Sequence, residues 1–272
     1  MTKSEYIVPE QLRDTNLTES LCIGPYEILH RIVPSTKRVN YNHLCQFDLK
    51  SNRPGTLIIN PIPPSCTLEN LKNIVEQVQV NGSFIWISVE FSISGVADFN
   101  GMTRDQIYTS IRKVQEQVSV IMEHVKPNGI EIDATCDVIS QSLHSMKNSR
   151  TDEFGGSIQN RSCLLMTIIK ELLKVVPSQV LSVKVNPFQD LETDPICLAE
   201  YAYIFGELES WRRTNGITIS FIHLEEPLHN FDVSNNFVHA VWKGVVVREG
   251  NFRDIHTIKD LMKNDKTLIA LE

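Results

Sequence analysis

The sequence predicts an α/β protein folded as a (β/α)8 TIM barrel, and three observations carry that prediction. Short β-rich runs recur along the 272 residues. Stretches with helical apolar spacing separate most of them, the signature of repeated βα units. Several of the runs alternate polar with apolar residues, as barrel strands around a filled interior do.

The eight runs are His30–Pro34, Thr56–Asn60, Phe84–Val89, Gly129–Asp133, Leu181–Val185, Ile219–Leu224, Gly244–Arg248 and Thr267–Leu271. The helices between them are marked more sharply. Thr103 and Gln106 form a capping-box pattern ahead of Ile107, Ile111, Val114, Val118, Ile121 and Val125, which share one face. Leu164, Leu165, Ile168, Ile169, Leu172, Leu173 and Val176 make a second stripe that stops at Pro177. Leu71, Ile74, Val75 and Val78 make a third after Thr67. Glu272 follows the eighth run directly, so the predicted barrel is incomplete at its C-terminus, with the eighth helix missing. Apolar surface near Leu268 and Ile269 is then expected to be exposed. The segments Ser35–Asn52 and Gln189–Pro195 read as polar loops, the second an acidic, solvated one.

Residues 1–272 read as a single domain: no linker, low-complexity tract or shorter repeat interrupts them. A formal charge of −7 with scattered Lys and Arg argues against a nucleic-acid or anionic-membrane surface. Cys22, Cys45, Cys66, Cys136, Cys163 and Cys197 lie far apart without metal-ligand spacing, which predicts reduced thiols and no metal site. With no apolar leader in Met1–Leu12 and no apolar run near membrane-spanning length, the expected location is cytoplasmic.

Barrels place reactive groups at the C-terminal ends of strands, so Thr36, Ser88, Asp133, Lys184, His223, Glu225, Glu226, Gly250 and Asn251 are the residues to weigh. Ser88 with His223 lacks the elbow of a nucleophilic serine. Asp133 with Glu225 or Glu226 permits a carboxylate pair of the glycosidase type, although the adjacent glutamates must face opposite ways. Lys184, inside an apolar strand, needs an anion; Asp133, a ligand or a cofactor would serve, and a Schiff-base role has no supporting partner. Gly250-Asn251 after a strand lets backbone approach a phosphate or simply makes a turn.

The stretch Asn148-Ser-Arg-Thr-Asp-Glu-Phe-Gly-Gly-Ser-Ile-Gln-Asn-Arg161 resembles the N-x-R-T-D-E-Y-G-G-S-I-E-N-R segment of the Old Yellow Enzyme family, particularly its fungal branch. Asp14–Leu17, Leu29–Arg31, Arg53–Thr56, Ala199–Tyr203, His223–Pro227, Val241–Gly244 and Gly250–Phe252 agree in order, so the likeness covers nearly the whole chain. It implies a flavin-dependent barrel that uses FMN and NADPH to reduce activated C=C bonds of a small enone-type substrate, acting as a homodimer. It also implies that Thr36 stands at the flavin-contacting threonine and that Gly250-Asn251 meet the FMN phosphate. Ser88 falls where the family has a flavin-bonding glutamine, and Lys184 where it has an arginine beside the pyrimidine end of the ring.

The catalytic segment departs further. Asp133-Ala-Thr-Cys136-Asp137-Val138 replaces the family's His-x-x-Asn or His-x-x-His and its following tyrosine, so no catalytic position is intact. Two like charges about 4 Å apart, Asp133 and a reduced flavin, repel by roughly 4 kcal/mol at an effective dielectric near 20. The loop after the third strand, Phe91–Met102, is shorter than the fungal pattern, and the phosphate loop expected after the eighth strand is missing. The resemblance thus predicts an FMN-dependent oxidoreductase with an eroded site and weak or absent activity. The alternatives are a non-catalytic pseudoenzyme or binding protein, or a degenerate gene product. The Arg150–Arg161 loop itself reads as a structural clamp.

Overall fold

The computed structural model describes residues 27–29, 57–62, 66–91, 98–190, 192, 194, 196–227, 234–250, 260–261, 263–264 and 266–271. Eight parallel strands close into a barrel in sequence order: β1 (Glu27–Leu29), β2 (Leu57–Pro61), β3 (Phe84–Glu90), β4 (Gly129–Asp133), β5 (Leu181–Val185), β6 (Phe221–Glu225), β7 (Val245–Glu249) and β8 (Thr267–Leu271). Glu27 pairs with Ile269 and Leu29 with Leu271, so the ring is sealed strand to strand between β8 and β1. The first strand is found at Glu27–Leu29; the run His30–Pro34 and the loop Ser35–Asn52 lie outside the described residues.

The expected helices fall between the strands. They are α1 (Leu68–Val80), α2 (Arg104–Val120), the short α3 (Asp137–Leu143) and α4 (Ile158–Arg161), α5 (Cys163–Leu172), α6 (Cys197–Asn215) and α7 (Val238–Val241). Thr67 Oγ1 accepts from Asn70 N–H at 3.1 Å to start α1. At α2, Thr103 and Gln106 make both bonds of the capping box, 3.2 and 2.8 Å. The predicted apolar faces of α1, α2 and α5 pack on the outward residues of the strands, including Ile58, Ile85, Ile130, Ile132, Ile222 and Val246.

A second apolar layer fills the lumen floor with Leu57, Ile59, Phe84, Trp86, Phe221, Val245, Val247, Leu268 and Ala270. Leu268 therefore points inward, and both it and Ile269 are only 3% exposed, which corrects the expectation of apolar exposure there. Ile269 stands between paired β1 and β7. Trp86 fits because Gly129 lies beside it on β4; a Cβ at Gly129 would stand 2.1 Å from Trp86 Cε2. Gly129→Ala is expected to cost about 2–3 kcal/mol through overpacking, read as a lower urea midpoint. An unchanged midpoint would mean that the lumen floor yields.

The Asn148–Arg161 segment is a clamp, as its wording suggests. Asn148 Nδ2 donates to the carbonyls of Ser142 at 2.6 Å and Phe154 at 2.8 Å. Arg150 pairs with Asp152, donates to the carbonyls of Phe99 and Met102 at 2.9 and 2.7 Å, and covers the Phe99 ring. Gly155 approaches the Arg150 carbonyl too closely for a side chain, Gly156 takes φ +88°, and Ser157 caps α4. Asp194 is a correction to the solvated-loop expectation. It is 1% exposed because Ser145 donates to it from backbone and hydroxyl at 2.7 and 2.6 Å, drawing it inside.

Candidate active site: the mouth of the barrel

Alternate residues of each barrel strand face the lumen. Above the apolar floor, that alternation brings Ser88 of β3, Glu131 of β4, Lys184 of β5, His223 and Glu225 of β6, and Glu249 of β7 into one polar layer. Their side chains form a chain of contacts across five strands. Ser88 Oγ donates to Glu131 Oε1 at 3.1 Å, and His223 Nδ1 lies 2.8 Å from Glu131 Oε2. On the other side of the ring, His223 Nε2 is 3.3 Å from Glu249 Oε2, a charge contact whose angle falls short of a hydrogen bond. The Lys184 ammonium sits directly on Glu249 and 2.8 Å from Glu225 Oε1. Asn186 Nδ2 donates to Glu225 Oε2 at 2.8 Å and closes the series.

These charges are nearly all removed from water. Glu131 and Lys184 are each 1% exposed and His223 3%. Burial opposes a charge on His223, yet the neighbouring Glu131 and Glu249 carboxylates hold its pKa above the ordinary histidine range. Burial likewise opposes ionisation of Glu249, and His223 and Lys184 overcome it, holding the carboxyl far below its usual value. Among the described residues, Glu131, Glu225 and Glu249 thus gather around Lys184 and His223, and Asp133 adds a further acid at the end of β4. Asp133 Oδ1 accepts from Thr135 N–H at 3.0 Å and from its hydroxyl at 2.5 Å.

The structure distributes the sequence-predicted residues unevenly. Ser88 and Lys184 enter the lumen layer, Asp133 is buried at its rim, and Gly250 is buried directly after β7. Thr36 and Asn251 lie outside the described residues. Cys136 precedes α3 with Sγ 3.5 Å from the Phe91 carbonyl. Burial pushes its thiol up to about 11, so it is protonated and a poor nucleophile at neutral pH. Ser88 and His223 both engage Glu131, which argues against a serine–histidine nucleophile. Glu226 faces away from Glu225 and forms a two-pronged pair with Arg248, at 2.6 and 2.9 Å, ruling it out as a lumen partner of Asp133. The anions on Lys184 include Glu249, which the sequence reading did not single out, and Glu131 was missed as well. Both occupy inward positions of the alternation, and that signal was available.

A flavin requires a donor or a cation at the N1–C2=O edge of its ring, where negative charge gathers on reduction. Lys184 has the right charge, but two carboxylates already share it, and Ser88 already donates to Glu131. The polar layer taken together does not fit the electron-rich edge of a flavin.

A closed parallel barrel with its polar groups gathered at the strand ends defines a (β/α)8 protein. The model of the NADH:flavin oxidoreductase / NADH oxidase family matches residues 99–272, and the chain belongs to that family. Among curated relatives, Enoate reductase 1 of Kluyveromyces lactis is 25% identical, with 96% of this chain and 85% of that protein covered. A probable NADPH dehydrogenase of Candida albicans is 26% identical, covering 98% and 84%. Among solved structures, Old Yellow Enzyme from a Pichia species superposes with a TM-score of 0.76 at 22% identity, over 95% of this chain and 83% of that one, a likeness of fold. Among the described residues, no helix is long and apolar enough to cross a membrane.

Proposed function

We propose that this chain is an FMN-dependent NAD(P)H oxidoreductase of the Old Yellow Enzyme type by descent, one barrel domain whose flavin site is eroded and whose ene-reductase activity is weak or absent. The enoate reductase and NADPH dehydrogenase relatives support the lineage and the substrate class, a small molecule with an activated C=C bond. The observation that carries the loss is the double pairing of Lys184 with Glu225 and Glu249. Asp133 supports it, because a carboxylate at the rim accepts hydrogen bonds where an enone carbonyl needs a donor. The scattered cysteines support a reducing, cytoplasmic setting. The same buried pairing favours a second reading, a folded pseudoenzyme that binds a ligand or partner without turnover.

The test is NADPH oxidation coupled to reduction of cyclohex-2-enone, with purified protein and excess FMN. The expected rate equals, or only slightly exceeds, that of free FMN and NADPH without protein. Fast, saturable enone reduction with many turnovers per chain each second would overturn the proposal.

A further inference from the structure

We infer that Glu225 and Glu249 are built-in counter-ions that occupy the anion position beside Lys184, and that these two carboxylates exclude the flavin ring from the barrel mouth. The inference rests on the proposed function and names the residues responsible for the weak flavin site.

Lys184 is 1% exposed, so its ammonium must be neutralised within the protein. Glu249 and Glu225 reach it from β7 and β6, from inward positions paired level with each other across the two strands. Both are fixed from behind: Glu225 by Asn186 at 2.8 Å and Glu249 by His223 at 3.3 Å. An incoming flavin edge would have to displace two anchored carboxylates from an ammonium they already satisfy. It would then sit against them, with Asp133 nearby on β4, in register with Lys184. The repulsion is local and specific. Removing the two negative charges while keeping their shape should release Lys184 to hold the carbonyl edge of a flavin.

The experiment titrates FMN, and separately riboflavin, into the full chain and follows quenching of flavin fluorescence. Wild type is compared with Glu225→Gln/Glu249→Gln and with the same pair carrying Lys184→Met. Circular dichroism melts establish that each is folded. The double variant is expected to bind both flavins about tenfold or more tightly than wild type, and Lys184→Met to remove the gain. Riboflavin lacks the phosphate, so equal gains locate the effect at the ring. Glu249→Gln alone leaves Glu225 to balance Lys184; it serves if the double variant does not fold, with a smaller gain in the same direction.

A folded variant without gain overturns the inference, as does a gain that survives Lys184→Met or one confined to FMN. Weak wild-type binding with no gain in the variants sinks this inference and leaves the proposed function standing. Stoichiometric wild-type binding sinks both.

Discussion

Arg161→Met is expected to lower stability by about 3–5 kcal/mol at pH 8.5, because it strands a buried carboxylate. Arg161 joins the clamp to α6 through Glu200, with Nη2–Oε2 at 2.6 Å, and donates to the carbonyls of Leu143 and Gly156. The two side chains are 6% and 1% exposed. Burial pushes the Glu200 carboxyl up to about 7, against the pull of the guanidinium. Without Arg161 that value rises further. A carboxyl whose folded pKa lies above its unfolded pKa destabilises as pH climbs between the two, and the penalty is complete above the folded value. Below pH 7 Glu200 is mainly protonated in both proteins, so the variant's deficit there reflects only lost hydrogen bonds and packing. Above pH 7 the deficit should grow by up to about 1.4 kcal/mol per pH unit until Glu200 of the variant ionises. Urea titrations at pH 6 and pH 8.5 measure this; equal deficits at the two values would show that Glu200 is not the group left uncompensated.

Lys184→Met is the second large effect, expected at about 3–5 kcal/mol at neutral pH. It leaves Glu225 and Glu249 facing each other, with the His223 ring remaining beside Glu249. Adding Glu249→Gln should restore part of the loss, with a coupling of about 1–3 kcal/mol in the double-mutant cycle. Additive losses would show that the lumen layer is not energetically one network. The cycle probes folding, independently of any flavin.

Much of the barrel was legible in the sequence because its signals are local. Gly129–Asp133 and Thr267–Leu271 are predicted at their observed bounds, and the Thr103/Gln106 capping box forms as written. The Arg150–Arg161 clamp is equally local, with most of its bonds spanning only a few residues. The first strand was less legible, since Glu27–Leu29 is placed by pairing with β8 far along the chain and not by its own composition.

The site divides in the same way. Alternation alone marks Ser88, Glu131, Lys184, His223 and Glu249 as residues of one strand face or the other. Which of them meet depends on register across five strands, and on long side chains reaching between levels, so Glu131 and Glu249 were missed. Asp194 was misread for a related reason: its partner Ser145 lies 49 residues away, and a short acidic run looks solvated until that partner is known.

On the proposed reading, the barrel mouth satisfies its own charge where a flavin ring would lie. Gel filtration of the wild-type chain after incubation with excess FMN at neutral pH tests it most directly, with absorbance recorded at the protein and flavin bands. A colourless protein peak is expected, with flavin confined to the small-molecule fractions. A yellow protein peak carrying one flavin per chain would contradict it.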